Sequence, residues 1–247
     1  RRPLAMASFA ANHALAGGFS SVSLKAVNLG IPRVIAALLF LLCFSVLENL
    51  GIGPGSDTRR LIALTAAAIW LLHPLNVSTV LYAVQRMAQL ATLFVLAGLL
   101  LFMRYRQRWA ISGASTGELV AAVLWLLLLT ALGALSKENG ALLPWLIVVL
   151  EVCIFRGVWA GRSIRWLTSM GWIALVLPVL LVLAVLVVSP DILLGRYSGR
   201  EFTVEERLLT QGRLLWRYLG WICLPNINDM GFQHDDIPTS TGFFAPL

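Results

Sequence analysis

The sequence predicts an all-α membrane protein, a polytopic bundle of about six transmembrane helices with additional helices at the outward interface. Of its 247 residues, 59% are apolar and 13% are charged, whereas a soluble domain typically contains roughly 45–50% apolar and roughly 25% charged residues. The mean hydropathy is +0.83. Because a spanning helix needs about 20 apolar residues, the chain has room for about six or seven spans. This composition excludes a water-soluble globular enzyme.

Six apolar segments are separated by polar or Gly/Pro-rich connections. Residues 1–21 are mixed and predict a loop with one short helix. The second apolar segment is short for a span, so we expect it to borrow flanking residues or to be shielded by other helices. We divide the chain into a transmembrane bundle, residues 1–188, and an outward-facing segment, residues 189–247. The predicted spans are Val22–Leu47, Leu61–Leu72, Met87–Met103, Leu119–Leu135, Ala141–Phe155 and Trp166–Val188.

Arginine is distributed unevenly between the two sides of this predicted bundle. The loops 48–60, 104–117 and 156–165 contain eight arginines, whereas the short loops opposite, 73–86 and 136–140, contain only Arg86 and Lys137 as cations. By the positive-inside rule the arginine-rich side faces the cytoplasm. The net charge of +7 therefore reflects membrane topology, and nucleic acid is not an expected partner.

The first outward loop contains polar residues that hydropathy does not explain. Arg86 stands at the start of a span on the side where topology requires no cation, and its fork of donors suits a phosphate. The alternative is an arginine that snorkels to the interface. His73 precedes Pro74 and is either a supporting site residue or an interfacial helix cap.

A second outward connection is the short segment Ser136-Lys137-Glu138-Asn139-Gly140. Its ammonium group could hold a phosphate while the Glu138 carboxylate orients it. The alternative is an ordinary polar turn between two apolar spans.

The segment after the last span contains an amphipathic pattern. Thr203 and Glu206 have the spacing of a capping box, which predicts a helix over about 203–224 that Pro225 ends. Such a helix lies in the membrane interface or covers the bundle. On the first interpretation, Arg213 and Arg217 face an anionic lipid headgroup. Four polar residues at helical spacing share one face of this helix, namely Glu206, Thr210, Arg213 and Arg217.

His234, Asp235 and Asp236 follow in an irregular loop. An imidazole and two carboxylates could bind a divalent cation or act on an acceptor, or they form a solvated turn.

The three isolated cysteines predict neither a zinc nor a redox site. The predicted spans contain few ionisable residues, with Glu151 as the main exception, and this disfavours an ion pathway.

At these positions the sequence resembles the polytopic GT-C glycosyltransferases, in particular the transmembrane, TPR-containing O-mannosyltransferase-like proteins and their bacterial relatives. Four short stretches carry the resemblance in the same order, and together they cover nearly the whole chain. They are Arg2-Pro3-Leu4 with Ser8-Phe9-Ala10-Ala11-Asn12 and Val27-Asn28-Leu29; His73-Pro74 through Arg86; Ser136-Lys137-Glu138; and Thr210-Gln211, Tyr218 and Pro225 with His234-Asp235-Asp236-Ile237-Pro238. Where the family's second stretch usually has an acidic residue, this chain has Ser78-Thr79.

The resemblance implies transfer of a sugar from a polyprenyl-phosphate-linked donor to an acceptor protein or glycan. The expected place is the periplasmic face of a bacterial inner membrane. Arg86 and Lys137 would bind the donor phosphate, with Arg213 and Arg217 as second-choice ligands. The expected supporting residues are His73, Glu138 and Gln211, and the expected acceptor or cation ligands are His234, Asp235 and Asp236.

The family's catalytic carboxylate precedes the Arg2-Pro3-Leu4 stretch, so we expect it upstream of Arg1 and assign no catalytic residue in this chain. No resident cofactor is expected, apart from the divalent cation considered above. Two alternatives remain open at this point. One is a non-catalytic membrane subunit that binds lipid or a partner chain, and the other is a transporter or flippase.

Overall fold

The computed structural model describes residues 2–18, 20–189, 203–226 and 238–242. These residues are almost entirely helical. The α-helices are α1 Pro3–Ala16, α2 Ser21–Asn49, α3 Ser56–Leu72, α4 Leu75–Leu81, α5 Arg86–Ser112, α6 Thr116–Ser136, α7 Leu143–Leu150, α8 Arg165–Val188 and α9 Val204–Cys223. Two 3-10 turns, Ala83–Gln85 and Glu138–Leu142, precede α5 and α7. A π-helical turn, Glu151–Phe155, follows α7.

Five helical segments of the described chain are long and apolar enough to cross a membrane. They are α2, Ala83–Ser112, α6, Glu138–Phe155 and α8. A sixth span results if α3 and α4, which meet at an angle of 61°, count as one. This confirms the all-α polytopic bundle, and five of the segments match the predicted spans. Following the predicted topology, we call the ends at Ser21, Leu72, Arg86, Ser136, Glu138 and Val188 the outward ends.

Helix α5 is the most buried of these spans, and it packs against α2 on one side and α6 on the other. A side chain on Gly98 would overlap Leu143, so this glycine lets α7 approach closely. Phe102, Met103 and Phe155 form a buried cluster farther along α5, in which the rings of Phe102 and Phe155 meet edge to face. Helix α5 thus contacts three other spans, namely α2, α6 and Glu138–Phe155.

Two elements are longer than the sequence pattern predicts. Residues 3–16 form the continuous helix α1 instead of a loop with a short helix. Helix α5 continues to Ser112, so the arginines at 104–108 are helical and do not lie in a loop. Tertiary packing explains the longer α5, since Arg106 pairs with Glu151 and the ring of Trp109 lies against Trp159.

A two-stranded hairpin connects the π-helical turn to α8. Its strands, β1 Val158–Trp159 and β2 Arg162–Ser163, are antiparallel, with Val158 opposite Ser163. Arg156 enters it in the left-handed region, with φ of 49°. This hairpin brings Trp159 back over the end of α5.

Helix α9 begins at a reciprocal cap. The Thr203 hydroxyl accepts a bond from the Glu206 amide at 3.2 Å, and the Glu206 carboxylate accepts one from the Thr203 amide at 2.7 Å. The described residues form two compact units. The first comprises Arg1–Leu72 and Asn76–Leu175, and the second comprises His73–Leu75 and Val176–Leu247.

Candidate functional site

A cavity of about 740 Å³ lies in the first unit, beside the start of α1 and the outward ends of α5 and of the 138–142 turn. Small-molecule sites typically occupy roughly 300–1,000 Å³. The wall is apolar except for Arg2 and Glu138. An apolar wall with charged groups in one place fits an amphiphile, whose hydrocarbon part adjoins an ionic head. The lining residues are Arg2, Pro3, Ala5, Met6, Phe9, Val84, Met87 and Glu138.

Arg2 and Glu138 form an ion pair within this lining. Arg2 Nη2 donates to Glu138 Oε1 and Oε2 at 3.2 and 3.1 Å, and Arg2 Nε donates to Oε1 at 3.3 Å. The Glu138 side chain is 71% exposed. Solvent screens an exposed pair of this kind, so it contributes little to stability. The guanidinium can therefore exchange Glu138 for another anion at little cost.

Lys137 is a second cation next to this pair in the sequence. It has an extended backbone between α6 and the 3-10 turn, with φ of −157° and ψ of 149°. Its side chain is half-buried, and among the described residues its ammonium group has no ion pair or hydrogen bond. The turn thus supplies one paired carboxylate and one unpaired cation.

Two glycines fix the position of this turn. A Cβ on Gly133 would lie 3.2 Å from the Gly140 Cα, and a Cβ on Gly140 would overlap the Gly133 backbone. The two backbones are therefore in direct contact across the end of α6. Ser136 is fully buried beside them, and its hydroxyl donates to the Leu132 carbonyl at 2.8 Å. This contact holds Lys137 and Glu138 in place.

Arg86 is buried and fully engaged with protein. It is 0% exposed, and its Nε donates to Asn28 Oδ1 at 2.7 Å. Its Nη2 donates to Asn12 Oδ1 and to the Leu24 carbonyl, both at 3.0 Å, and Nη1 donates to the Ser8 carbonyl at 3.3 Å. These bonds join α1, α2 and α5.

The sequence interpretation assigns Arg86 to binding of the donor phosphate. In the structure, backbone and amide oxygens surround its guanidinium. Its guanidinium carbon also lies 4.4 Å from the ring centre of Phe9, which lines the cavity. We therefore describe Arg86 as a positioning residue that fixes the wall of the cavity. Direct phosphate binding by Arg86 stays a prediction.

The other predicted site residues are divided between the units. Glu138 lines the cavity. Lys137 directly precedes Glu138 in the sequence. His73, Gln211, Arg213 and Arg217 belong to the second unit. There Arg213 donates to the Pro238 carbonyl, and the guanidinium of Arg217 lies 5.2 Å from the ring centre of Trp221. His234, Asp235 and Asp236 lie outside the described residues.

Sequence reasoning assigned no role to three residues that the structure singles out. Arg2 lines the cavity, and Asn12 and Asn28 accept bonds from Arg86. Asn28 is fully buried in an apolar helix, and a polar side chain in such a position is a signal that sequence analysis could have used. Arg2 gives no such signal, because only the fold brings it to Glu138.

A metal site finds no support within the described ranges. There, no group of three or more His, Cys, Asp or Glu side chains is arranged to hold an ion. Cation binding by His234, Asp235 and Asp236 stays a prediction.

Two known proteins are similar to part of the chain. Protein O-mannosyl-transferase TMTC4 of Mus musculus is 30% identical over 159 residues, and its counterpart of the same name in Homo sapiens is 32% identical over 161 residues. Each match covers 62% of this chain and 21% of the relative, so the chain spans about a fifth of the relatives' length. No family model matches the chain, and no solved structure matches it significantly. The chain is thus similar, over more than half of its length, to proteins named as O-mannosyl-transferases.

Proposed function

We propose that this chain is the membrane part of a glycosyltransferase of the GT-C type, which moves a sugar from a polyprenyl-phosphate donor to an acceptor. The observation that carries the proposal is the apolar cavity with the Arg2–Glu138 pair in its lining and with Lys137 directly before Glu138 in the sequence. The similarity to O-mannosyl-transferases supports this class of reaction. The acceptor is a protein or a glycan.

The donor's chemistry matches the two parts of the cavity. A polyprenyl chain is apolar and reaches a site through the membrane, so it suits the wall formed by Met6, Phe9 and Met87. The phosphate carries charge and suits the guanidinium fork of Arg2 and the ammonium of Lys137. Arg86 acts indirectly, because it holds α1 and the ring of Phe9 in place.

The proposed reaction breaks the bond between the sugar's anomeric carbon and the donor phosphate. An acceptor hydroxyl forms the new bond to that carbon, and its proton passes to a base. The phosphate leaves with increased negative charge, which Arg2 and Lys137 stabilise in a site from which water is partly excluded. No described carboxylate is assigned as the base, and the proposal retains an upstream carboxylate for this role.

The proposed active face is the non-cytoplasmic side, as the positive-inside rule indicates. In a bacterium this is the periplasmic face of the inner membrane. The two similar proteins are from mouse and human, so a bacterial source stays part of the proposal. His234, Asp235 and Asp236 are retained as proposed ligands of the acceptor or of a cation. The donor-phosphate roles of Arg213 and Arg217 and the supporting roles of His73 and Gln211 remain predictions outside this cavity.

A non-catalytic lipid-binding subunit is the second candidate. It is favoured by one observation, namely that the single carboxylate in the cavity lining, Glu138, is paired with Arg2. Such a subunit would bind the same amphiphile without transferring a sugar. The transporter alternative receives less support, because Arg106 and Glu151 in the described spans pair with each other.

Binding of a polyprenyl phosphate to the full natural protein in lipid nanodiscs tests the site. Arg2→Gln and Lys137→Gln are each expected to weaken binding by about tenfold or more, since a hydrogen bond to a charged group contributes roughly 1.5–3 kcal/mol. Glu138→Gln is expected to strengthen binding by up to about fivefold, because it removes a weak, solvent-screened competitor for the Arg2 guanidinium.

Lys25→Gln is the matched control, because Lys25 is an exposed cation near the outward end of α2 that does not line the cavity. Equal affinities for Lys25→Gln, Arg2→Gln and Lys137→Gln would rule out the assigned site. Sugar transfer by the same samples separates the two candidates. Tight binding without any transfer by the intact protein would favour the subunit.

A further inference from the structure

Helix α9 presents an exposed apolar stripe along one side. Leu208, Leu215, Leu219 and Ile222 are spaced seven, four and three residues apart, which places them on one face of a helix. Their exposed fractions lie between 42% and 68%. Trp216, beside the stripe, is 77% exposed. Such a face in water is costly, because apolar surface is driven out of contact with water.

The opposite side of α9 is polar and already occupied. The Thr210 hydroxyl accepts a hydrogen bond from the Ser240 amide at 2.9 Å, and Arg213 donates to the Pro238 carbonyl. This side therefore holds residues 238–240. The stripe and this polar side lie about half a turn apart.

His73 contacts the C-terminal end of α9 within the second unit. His73 directly follows Leu72, the last residue of α3, and its Nε2 lies 3.2 Å from the Ile222 carbonyl. The Leu75 amide donates to His73 Nδ1 at 3.2 Å. With Nδ1 accepting, Nε2 carries the proton and donates to Ile222. The C-terminal end of α9 is thus bonded to the residue that directly follows a predicted span.

We propose that α9 lies parallel to the membrane in the headgroup region of the outward leaflet, with its leucine stripe in lipid. His73 directly follows a predicted span, and its bond to the Ile222 carbonyl favours this depth for the C-terminal end of α9. Its composition fits the same environment, since it combines three arginines, two glutamates, Trp216 and Tyr218, and aromatic and basic side chains are enriched in interfacial helices.

This orientation has a consequence for the second unit. With the stripe in lipid, Thr210 and Arg213 face away from the bilayer and hold residues 238–240 above the membrane surface. The helix then acts as a platform for the segment that includes Pro238. The inference does not depend on the donor cavity or on glycosyl transfer.

Spin labels on single cysteines in the full natural protein, reconstituted in liposomes, test the orientation. The background replaces Cys43, Cys153 and Cys223 by alanine, and Leu208→Cys, Leu215→Cys and Leu219→Cys report on the stripe. Arg217→Cys and Gly220→Cys are the matched controls on the other side. The stripe positions are expected to be more accessible to oxygen than to a water-soluble nickel complex, and the control positions are expected to show the reverse.

Two results would overturn the proposal. Greater accessibility of the stripe to nickel would show that it faces water, and low accessibility to both reagents would show that protein covers it, either a partner or a second copy. A fluorophore on the native Cys223, with only Cys43→Ala and Cys153→Ala introduced, leaves α9 unchanged. Its emission is expected to be quenched more by a nitroxide near the lipid headgroup than by one at the bilayer centre; the opposite order would also contradict the proposal.

Discussion

Replacing Glu151 by alanine is expected to lower the free energy of unfolding by about 3–5 kcal/mol, because the change leaves a buried cation without its partner. Arg106 and Glu151 are paired through two short bonds, Nε to Oε2 at 2.6 Å and Nη2 to Oε1 at 2.7 Å. Their side chains are 2% and 13% exposed. The pair joins α5 to the π-helical turn after α7.

Aromatic rings complete the surroundings of this pair. The Arg106 guanidinium lies 4.9 Å from the ring centre of Phe155 and 5.2 Å from that of Trp159. Arg106 is 2% exposed, so little water reaches the cation. Without Glu151, the guanidinium has rings but no carboxylate, and the end of α5 must rearrange to hydrate it.

Equilibrium unfolding in mixed detergent micelles measures the effect. Asp57→Ala is the control, since the Asp57–Arg60 pair is exposed and exposed pairs contribute about 0–1 kcal/mol. Joint replacement of Arg106 and Glu151 by leucine is expected to recover part of the loss, because no unpaired charge remains. Equal losses for Glu151→Ala and Asp57→Ala would contradict a stabilising role of the buried pair.

Replacing Arg86 by alanine is expected to lower the free energy of unfolding by about 3 kcal/mol or more. The substitution leaves the amide oxygens of Asn12 and Asn28 without their donor, and each unpaired buried group costs about 1–3 kcal/mol. It also removes the bonds to the Ser8 and Leu24 carbonyls. Arg86→Lys is expected to be intermediate, since one ammonium group cannot reach all four acceptors.

The same unfolding measurement, combined with donor binding, distinguishes the two roles of Arg86. Arg33→Ala is the control, because Arg33 is an exposed residue of α2 and exposed substitutions usually change stability by less than about 0.5 kcal/mol. A positioning role predicts that stability and binding fall together. An Arg86→Ala protein as stable as the control, yet unable to bind a polyprenyl phosphate, would show instead that Arg86 contacts the ligand directly.

The membrane-spanning helices could be predicted from sequence because lipid imposes a simple rule. A span must be apolar over its length and must satisfy its own backbone hydrogen bonds. The predicted Leu119–Leu135 span accordingly agrees with α6 to within a few residues. The same rule fails at the end of α5, where Arg106 is helical despite its charge. Its helical state depends on Glu151, a residue 45 positions away.

The candidate site could be predicted only in part. Glu138 was accessible to sequence analysis because a charged turn between two apolar spans is conspicuous. Its partner Arg2 was not, since the two are 136 residues apart and meet only in the fold. Arg86 was conspicuous because it is a cation at the outward start of a span. Charge and position alone do not indicate whether such a cation faces a ligand or protein. The buried oxygens of Asn12 and Asn28 favour protein as the partner of Arg86, and they come from two other helices.

Photo-crosslinking tests the central claim, that the cavity beside Arg2 holds the lipid-linked donor, most directly. A polyprenyl phosphate with a diazirine near its head would be irradiated with the full natural protein in nanodiscs, and the adducts mapped by mass spectrometry. We expect adducts on Met6, Phe9 or Met87 that unlabelled polyprenyl phosphate competes away and that Arg2→Gln reduces. Adducts confined to the apolar groove between α2 and α3, which is lined by Cys43, Val46 and Ile62, or labelling that resists competition, would contradict the claim.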